Sequence, residues 1–302
     1  MTNNVIEISN ISRRFGAIQA VDNVTLDILE GETLGLIGHN GAGKSTLFKM
    51  MLGLIPPSAG NIRIRGTPVQ GNGFRELRRS IGYLPENLAL YDNLSGLETL
   101  RFFAALKGCD HKQCAPLLEK VGLAHAADRR VDGYSKGMRQ RLGFAQALLG
   151  TPRILFLDEP TNGLDPEGIR EIYRILGELN AEGVTVVITS HILSEFQQRV
   201  KRLAVMKSGK LHALGSLQEL RETVNLPLNI VLRMDCPLQT LQDALNGISV
   251  ENIIATGNTV TISCQRALKM PILQRLAALG HAVVDIELKE PTLEDVFLGY
   301  PG

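Results

Sequence analysis

The segment Gly38-His39-Asn40-Gly41-Ala42-Gly43-Lys44-Ser45 follows an apolar run, Thr33–Ile37, and precedes residues with helical apolar spacing. A loop of this pattern wraps its backbone N–H groups around a phosphate. The glycines let the amides turn inward, and the helix behind offers its positive end. The Lys44 ammonium then reaches the β/γ oxygens, and the Ser45 hydroxyl binds Mg²⁺. A glycine turn with no ligand is a poor account of eight matching positions after a buried strand.

Acidic groups stand further on. Asp158 ends the hydrophobic run Ile154–Leu157, where a carboxylate can help to hold a metal through water. Glu159, one residue later, can face the γ-phosphate and activate an attacking water. The next apolar strand, Val184–Thr189, leads to His191, and neighbouring strands bring that imidazole to the same sheet edge. Ser135 and Gly137 open a helix that continues through Met138, Arg139, Gln140, Arg141, Leu142 and Phe144. A hydroxyl and exposed amides at a helix start form an anion site. Taken alone, an ordinary serine cap explains them better; beside the other motifs, the anion site is preferred. Such a chain grips a nucleotide on two different surfaces but carries one copy of each. The second surface is therefore expected from another molecule.

The elements that position these residues alternate between strand and helix. Val5–Ile8 and Val24–Ile28 alternate in period two, as half-buried antiparallel strands do. Thr33–Ile37, Ile154–Leu157 and Val184–Thr189 are nearly continuous apolar runs, as strands covered on both faces are. Residues from about 93 to 149 read as mainly helical, and a helix is expected near 167–181. This order predicts an α/β fold with a mostly parallel sheet, an antiparallel β subdomain and a helical subdomain over about 90–150. Composition shifts near Leu214–Asn225, dividing residues 1–218 from 219–302. The second part reads strand Leu228–Met234, helix Pro237–Leu245, strands Val250–Ala255 and Thr259–Cys264, helix Ala267–Leu279 and strand Ala282–Leu288. That is the βαββαβ order of a small α+β, ferredoxin-like domain. A closing helix is expected at Thr292–Leu298, with a threonine cap and an acidic first turn.

Bulk properties narrow the function. A chain of 302 residues, 44% hydrophobic, can bury more than one core. A formal net charge of +1 argues against nucleic acid as a partner. No uncharged apolar run nears the roughly 18 residues that a membrane helix needs. The opening Met1-Thr2-Asn3-Asn4 carries neither a basic n-region nor an apolar h-region, so no export signal is expected and a cytoplasmic protein is. The four cysteines are too scattered for a disulfide framework. Cys109 and Cys114 could form a metal clip only at the loose end of zinc spacing, without a second ligand pair; reduced thiols are expected instead.

These motifs together resemble the ATP-binding cassette (ABC) ATPases, a P-loop NTPase family, over about residues 5–215. The resemblance implies that ATP is held by Gly38, Asn40, Gly41, Gly43, Lys44, Ser45 and Thr46, with Ser135, Gly137 and Asp165 as further contacts. It makes Ile154–Glu159 the Walker B strand with Glu159 as catalytic glutamate, and His191 the switch histidine. Gly163-Leu164-Asp165 resembles the D-loop. Phe15 resembles the aromatic that stacks on adenine, although an aromatic there could equally be core. Ser45, Asp158 and Glu86 are the expected metal contacts. The family pattern further implies a homodimer with two ATP at its interface, in which residues of about 93–107 receive a cytoplasmic helix of an integral membrane permease.

This chain departs from the family pattern twice. In the usual Leu-Ser-Gly-Gly-Gln signature, Tyr134, Lys136 and Met138 replace three of five residues, while Ser135 and Gly137 are kept. Lys136 either adds charge towards the phosphate or points to solvent, the latter being favoured. The common lid glutamine is here Glu86, whose carboxylate can still meet Mg²⁺ or water. With Pro291–Leu298, these departures resemble the branch of bacterial ABC ATPases that serve ABC-2-type permeases on the inner membrane. The whole chain further resembles the ATPase subunit of the transporter that matures the copper centre of nitrous oxide reductase, which implies a periplasmic copper-handling partner. Motors for drugs, lipids or polysaccharides remain alternatives. A soluble ABC protein acting on DNA or ribosomes fits less well: Ser45 to Ile154 leaves no room for long coiled coils, and there is one cassette. The C-terminal part could sense a ligand, but no polar cluster marks a pocket, so dimer support is preferred.

Overall fold

The computed structural model describes residues 3–190, 199–224 and 227–290. They divide into two compact units, one up to Ser216 and one from Leu217. The helix expected at Thr292–Leu298 lies outside the described residues.

In the first unit, β1 (Asn4–Phe15) and β2 (Ile18–Leu29) pair antiparallel. Ile6, Ile8, Ile11, Val24, Leu26 and Ile28 all face the core. Strand pairing runs well past the expected Val5–Ile8, because the ladder continues through several bulges to Phe15 opposite Ile18. β3 (Thr33–Ile37) is buried at every position and runs into the glycine loop. The helix behind the loop, α1 (Lys44–Met51), buries Leu47, Phe48, Met50 and Met51. β4 (Ala59–Ile64) and β5 (Thr67–Pro68) complete an antiparallel sheet of order β2-β1-β4-β5.

A short α2 (Phe74–Leu77) leads to β6 (Ile81–Leu84). The helical stretch follows as α3 (Gly96–Lys107), α4 (Cys114–Lys120) and α5 (Lys136–Leu148). α3 starts at a capping box, in which Ser95 and Glu98 each satisfy the other's backbone N–H. Beyond it come β7 (Ile154–Asp158), α6 (Pro166–Ala181), β8 (Thr185–Thr189), β9 (Arg202–Lys207) and β10 (Lys210–Gly215). The resulting sheet has order β10-β9-β3-β8-β7-β6 and is parallel except at β10. Its register sets Asp158 beside Thr189 and Thr189 beside Leu36. The carboxyl ends of three central strands therefore meet at one edge, where open α/β sheets bind ligands. An edge-to-face pair, Phe48 on α1 and Phe156 on β7, with ring centroids 5.5 Å apart, ties the loop's helix to the acidic strand.

The second unit contains α7 (Leu217–Val224), β11 (Leu228–Met234), α8 (Leu238–Ala244), β12 (Asn252–Thr256), β13 (Thr259–Cys264), α9 (Lys269–Ala277) and β14 (Val283–Lys289). Its strands form one antiparallel sheet of order β12-β13-β11-β14. Ile230, Leu232, Leu241, Ile262, Ile272 and Leu276 fill a core of its own.

Candidate functional site

The phosphate loop is held tightly from behind. Gly43 has φ +99°, and a Cβ there would lie 2.4 Å from the Ala20 carbonyl oxygen. Only glycine satisfies both conditions. The turn between β9 and β10 closes the other side, with Gly209 N–H donating to the Ala42 carbonyl at 3.1 Å. Lys44 is 8% exposed, and its ammonium donates to the carbonyls of Gly38 (2.5 Å) and His39 (3.2 Å). Burial pushes its pKa down; the carboxylates of Glu159, Asp158 and Glu86 oppose that shift without cancelling it.

These groups line one cleft of about 520 Å³, together with Asn40, Gly41, Gly43, Ser45 and Thr46. Three carboxylates thus face one ammonium. Tyr83 registers the same field: burial first, then Asp158 and Glu86, push its hydroxyl up to about 12. Among the described residues no three His, Cys, Asp or Glu side chains stand close enough to hold a metal by themselves. The cleft nevertheless offers oxygen donors from Ser45, Glu86, Asp158 and Glu159, and neither thiol nor imidazole. That donor set suits Mg²⁺, which commonly shares a few protein oxygens with substrate phosphates.

Asp158 and Glu159 are fixed by a residue that motif reading overlooks. Thr189 Oγ1 donates to Asp158 Oδ1 at 2.6 Å and accepts from the Glu159 N–H at 3.0 Å. Both carboxylates are nearly buried, and Glu159 has the left-handed φ of +52°. From the other side, Gln140 Nε2 donates to the carbonyls of Glu159 (3.3 Å) and Pro160 (2.9 Å). A threonine ending a strand beside an acidic one was the only available hint of the first contact. Ile18, Gln19, Ala20 and Ser208 also line the cleft and belong to no motif.

Other expected site residues stand elsewhere. Ser135 caps α5, accepting from the Met138 N–H at 3.2 Å. Ser135, Gly137 and Asp165 line a separate cleft of about 500 Å³, with Lys136, Met138 and Arg141 among its other walls. The two clefts share no residue. Phe15 is 44% exposed, hence not core, and one ring face carries the Arg13 guanidinium 4.5 Å from the centroid. It does not line the phosphate cleft, although its ladder partner Ile18 does. Lys136 is exposed, but its ammonium is not simply given to solvent: it donates to Asn162 Oδ1 at 2.9 Å. Tyr134 is buried and donates to the Ala126 carbonyl at 2.7 Å. His191 lies outside the described residues.

Comparison with known proteins points one way. A family profile described as "ABC transporter" matches residues 21–162. The uncharacterized ABC transporter ATP-binding protein YhcH of Bacillus subtilis (strain 168) is 34% identical over 300 residues, covering 99% of this chain and 96% of that one. The daunorubicin resistance ATP-binding protein DrrA3 of Streptomyces coeruleorubidus is 34% identical over 317 residues, covering 100% and 97%. A dimeric post-hydrolysis structure of the ATP-binding cassette MJ0796, bound to ADP and Pi, superposes with a TM-score of 0.65 at 27% identity, covering 70% and 98%.

Replacing Thr189 by valine should leave a buried carboxylate oxygen and a buried N–H unpaired. The expected cost is about 1–3 kcal/mol of stability in urea unfolding, with slower ATP turnover, whereas Thr189→Ser should stay near the parent in both.

Proposed function

The chain belongs to the ABC transporter ATP-binding family, whose characteristic activity is ATP hydrolysis, and on that premise we propose that it is the motor subunit of a transporter, working as a head-to-tail pair. One observation carries this reading: the phosphate loop and the Ser135 surface open into different clefts. A triphosphate in the first cleft is left with a side that only a second copy's Ser135 and Gly137 would cover. Two such copies make an isologous contact with two nucleotide sites. The neighbour described as dimeric and bound to ADP and Pi supports the arrangement.

Each residue then has a role. The loop amides and Lys44 take the phosphate charge; to do so, the Lys44 ammonium leaves the Gly38 and His39 carbonyls it now bonds. Asp158, Ser45 and Glu86 would hold Mg²⁺, which neutralises charge on the β and γ oxygens when bound. Glu159 accepts the proton of the attacking water, and Thr189 and Gln140 keep its backbone in place. Asp165, in the Ser135 cleft, would join Ser135 and Gly137 on the second copy's ATP; His191 and Phe15 keep the switch and adenine-stacking roles that the resemblance gives them. ATP favours the closed pair because it touches both halves, and hydrolysis removes one contact.

The permease partner is expected at the helical stretch. Tyr91, Phe102 and Leu106 are exposed there at 52%, 38% and 69%, with Tyr91 edge-on to Phe102 at 5.3 Å. This apolar patch fits an amphipathic segment of a membrane protein. No helix among the described residues is long and apolar enough to cross a membrane. The family resemblance supports a place on the cytoplasmic face beside an ABC-2-type permease. For the cargo, the name of DrrA3 favours a drug. The copper centre of nitrous oxide reductase retains the whole-chain resemblance as its support. Deleting the gene separates them by drug susceptibility in one case and by copper loading of the reductase in the other. We read the second unit's strand order as ferredoxin-like and its role as dimer support. Strand β14 is at the sheet edge with Val284, Ile286 and Leu288 exposed.

Glu159→Gln should lower turnover by about 10²–10⁴ while MgATP binding survives, and ATP-bound dimers should accumulate in light scattering. Near-full ATPase activity would remove Glu159 from its role, and monomers alone would remove the paired arrangement. Leu106→Glu should abolish copurification with the permease and leave ATP binding intact. Removing residues from 217 onward should weaken association; an unchanged dimer would refute the role given to the second unit.

A further inference from the structure

Lys136 occupies the first position of α5, where the helix dipole disfavours a cation. Its side chain runs away from the helix axis towards the segment after β7. The ammonium donates to Asn162 Oδ1 at 2.9 Å. The stem crosses the bare α-carbon of Gly163, where a Cβ would lie 2.6–2.8 Å from Cγ, Cδ and Cε. Gly137 packs beside it, its own Cβ position 3.3 Å from the Gly163 carbonyl oxygen. One turn on, on the same helix face, Gln140 bonds the Glu159 and Pro160 carbonyls. The Asn162 N–H donates to the Glu159 carbonyl at 3.2 Å, closing the segment into a turn. The start of α5 therefore grips residues 159–163 at both ends: Gln140 at the head, Lys136 at the tail.

We propose that Lys136 is a positioning residue whose bond to Asn162 locks the Ser135 surface to Glu159 of the same chain and so couples the two nucleotide sites of a pair. Ser135 and Gly137 contact the ATP held by the second copy, whereas Glu159 acts on the ATP held by its own chain. A phosphate that shifts the start of α5 therefore shifts the turn carrying Glu159. The usual signature glycine at this position has no side chain with which to make the link. This inference rests on the head-to-tail reading above. The competing role, a direct contact between Lys136 and the incoming phosphate, has no use for Asn162.

The test is ATPase velocity against ATP concentration for full-length Lys136→Gly, Asn162→Ala, their combination and Asn162→Asp, with Glu159→Gln assayed for dimers alongside. The parent should show a Hill coefficient above 1. Either single variant should bring it to about 1 and slow turnover roughly 2- to 30-fold, the usual range for coupling changes, and the double variant should be no worse than the worse single. Asn162→Asp should keep cooperativity, since it restores an acceptor for the ammonium. A parent without cooperativity, a silent Asn162→Ala beside a damaging Lys136→Gly, or lowered thermal stability with an unmoved Hill coefficient would each overturn the proposal. If Glu159→Gln yields ATP-bound dimers while Lys136→Gly stays cooperative, only the coupling role falls. If it yields no dimers, the paired reading falls as well.

Discussion

A carbon added to Gly43 would press within 2.4 Å of the Ala20 carbonyl, and the nucleotide end of the molecule depends on that close approach. The loop can present its amides inward only if its backbone lies flat against β2 and the β9–β10 turn. Strand β3, buried along its whole length, brings the loop there, and the Phe48–Phe156 contact keeps its helix beside the acidic strand. Packing behind the loop therefore sets the geometry in front of it. Rigid placement of this kind lets fixed dipoles act on phosphate without reorganising when charge arrives.

The charges in the cleft answer the same constraint. Burial alone would make the Lys44 ammonium costly, and three carboxylates in the same cleft offset part of that cost. The carbonyls of Gly38 and His39 take up its hydrogen bonds. The surplus of negative charge would suit a divalent cation. The Ser135 cleft is built differently: a helix start with a capping hydroxyl, walled by Lys136, Arg141 and Asp165, the last two paired at 3.8 Å.

Much of the fold could be read from pattern. Period-two and continuous apolar runs marked β1, β2, β3, β7 and β8, and the helix expected near 167–181 is α6, Pro166–Ala181. The extent of β1 was not legible, because pairing carried through bulges leaves no alternation to detect. Within the site, Asn40 to Thr46 of the phosphate loop and its helix do share one cleft with the acidic pair, whereas Gly38 stands behind it and meets Lys44 through its carbonyl. Thr189, Gln140, Ile18 and Ser208 escaped notice, since each reaches the site through a contact between segments far apart in sequence.

Local sequence determined what depends on consecutive residues: a glycine loop between a buried strand and a helix, an acidic pair ending a strand, a serine cap. Such features follow from backbone freedom and side-chain pattern within a few positions, so spacing reveals them. Tertiary structure alone decided that Ser135 and Lys44 face different clefts and that the Lys136 ammonium turns to Asn162. Those outcomes depend on how the start of α5 lies against the segment after β7, with Lys136 and Asn162 26 residues apart in sequence. Spacing along the chain carries no measure of that packing.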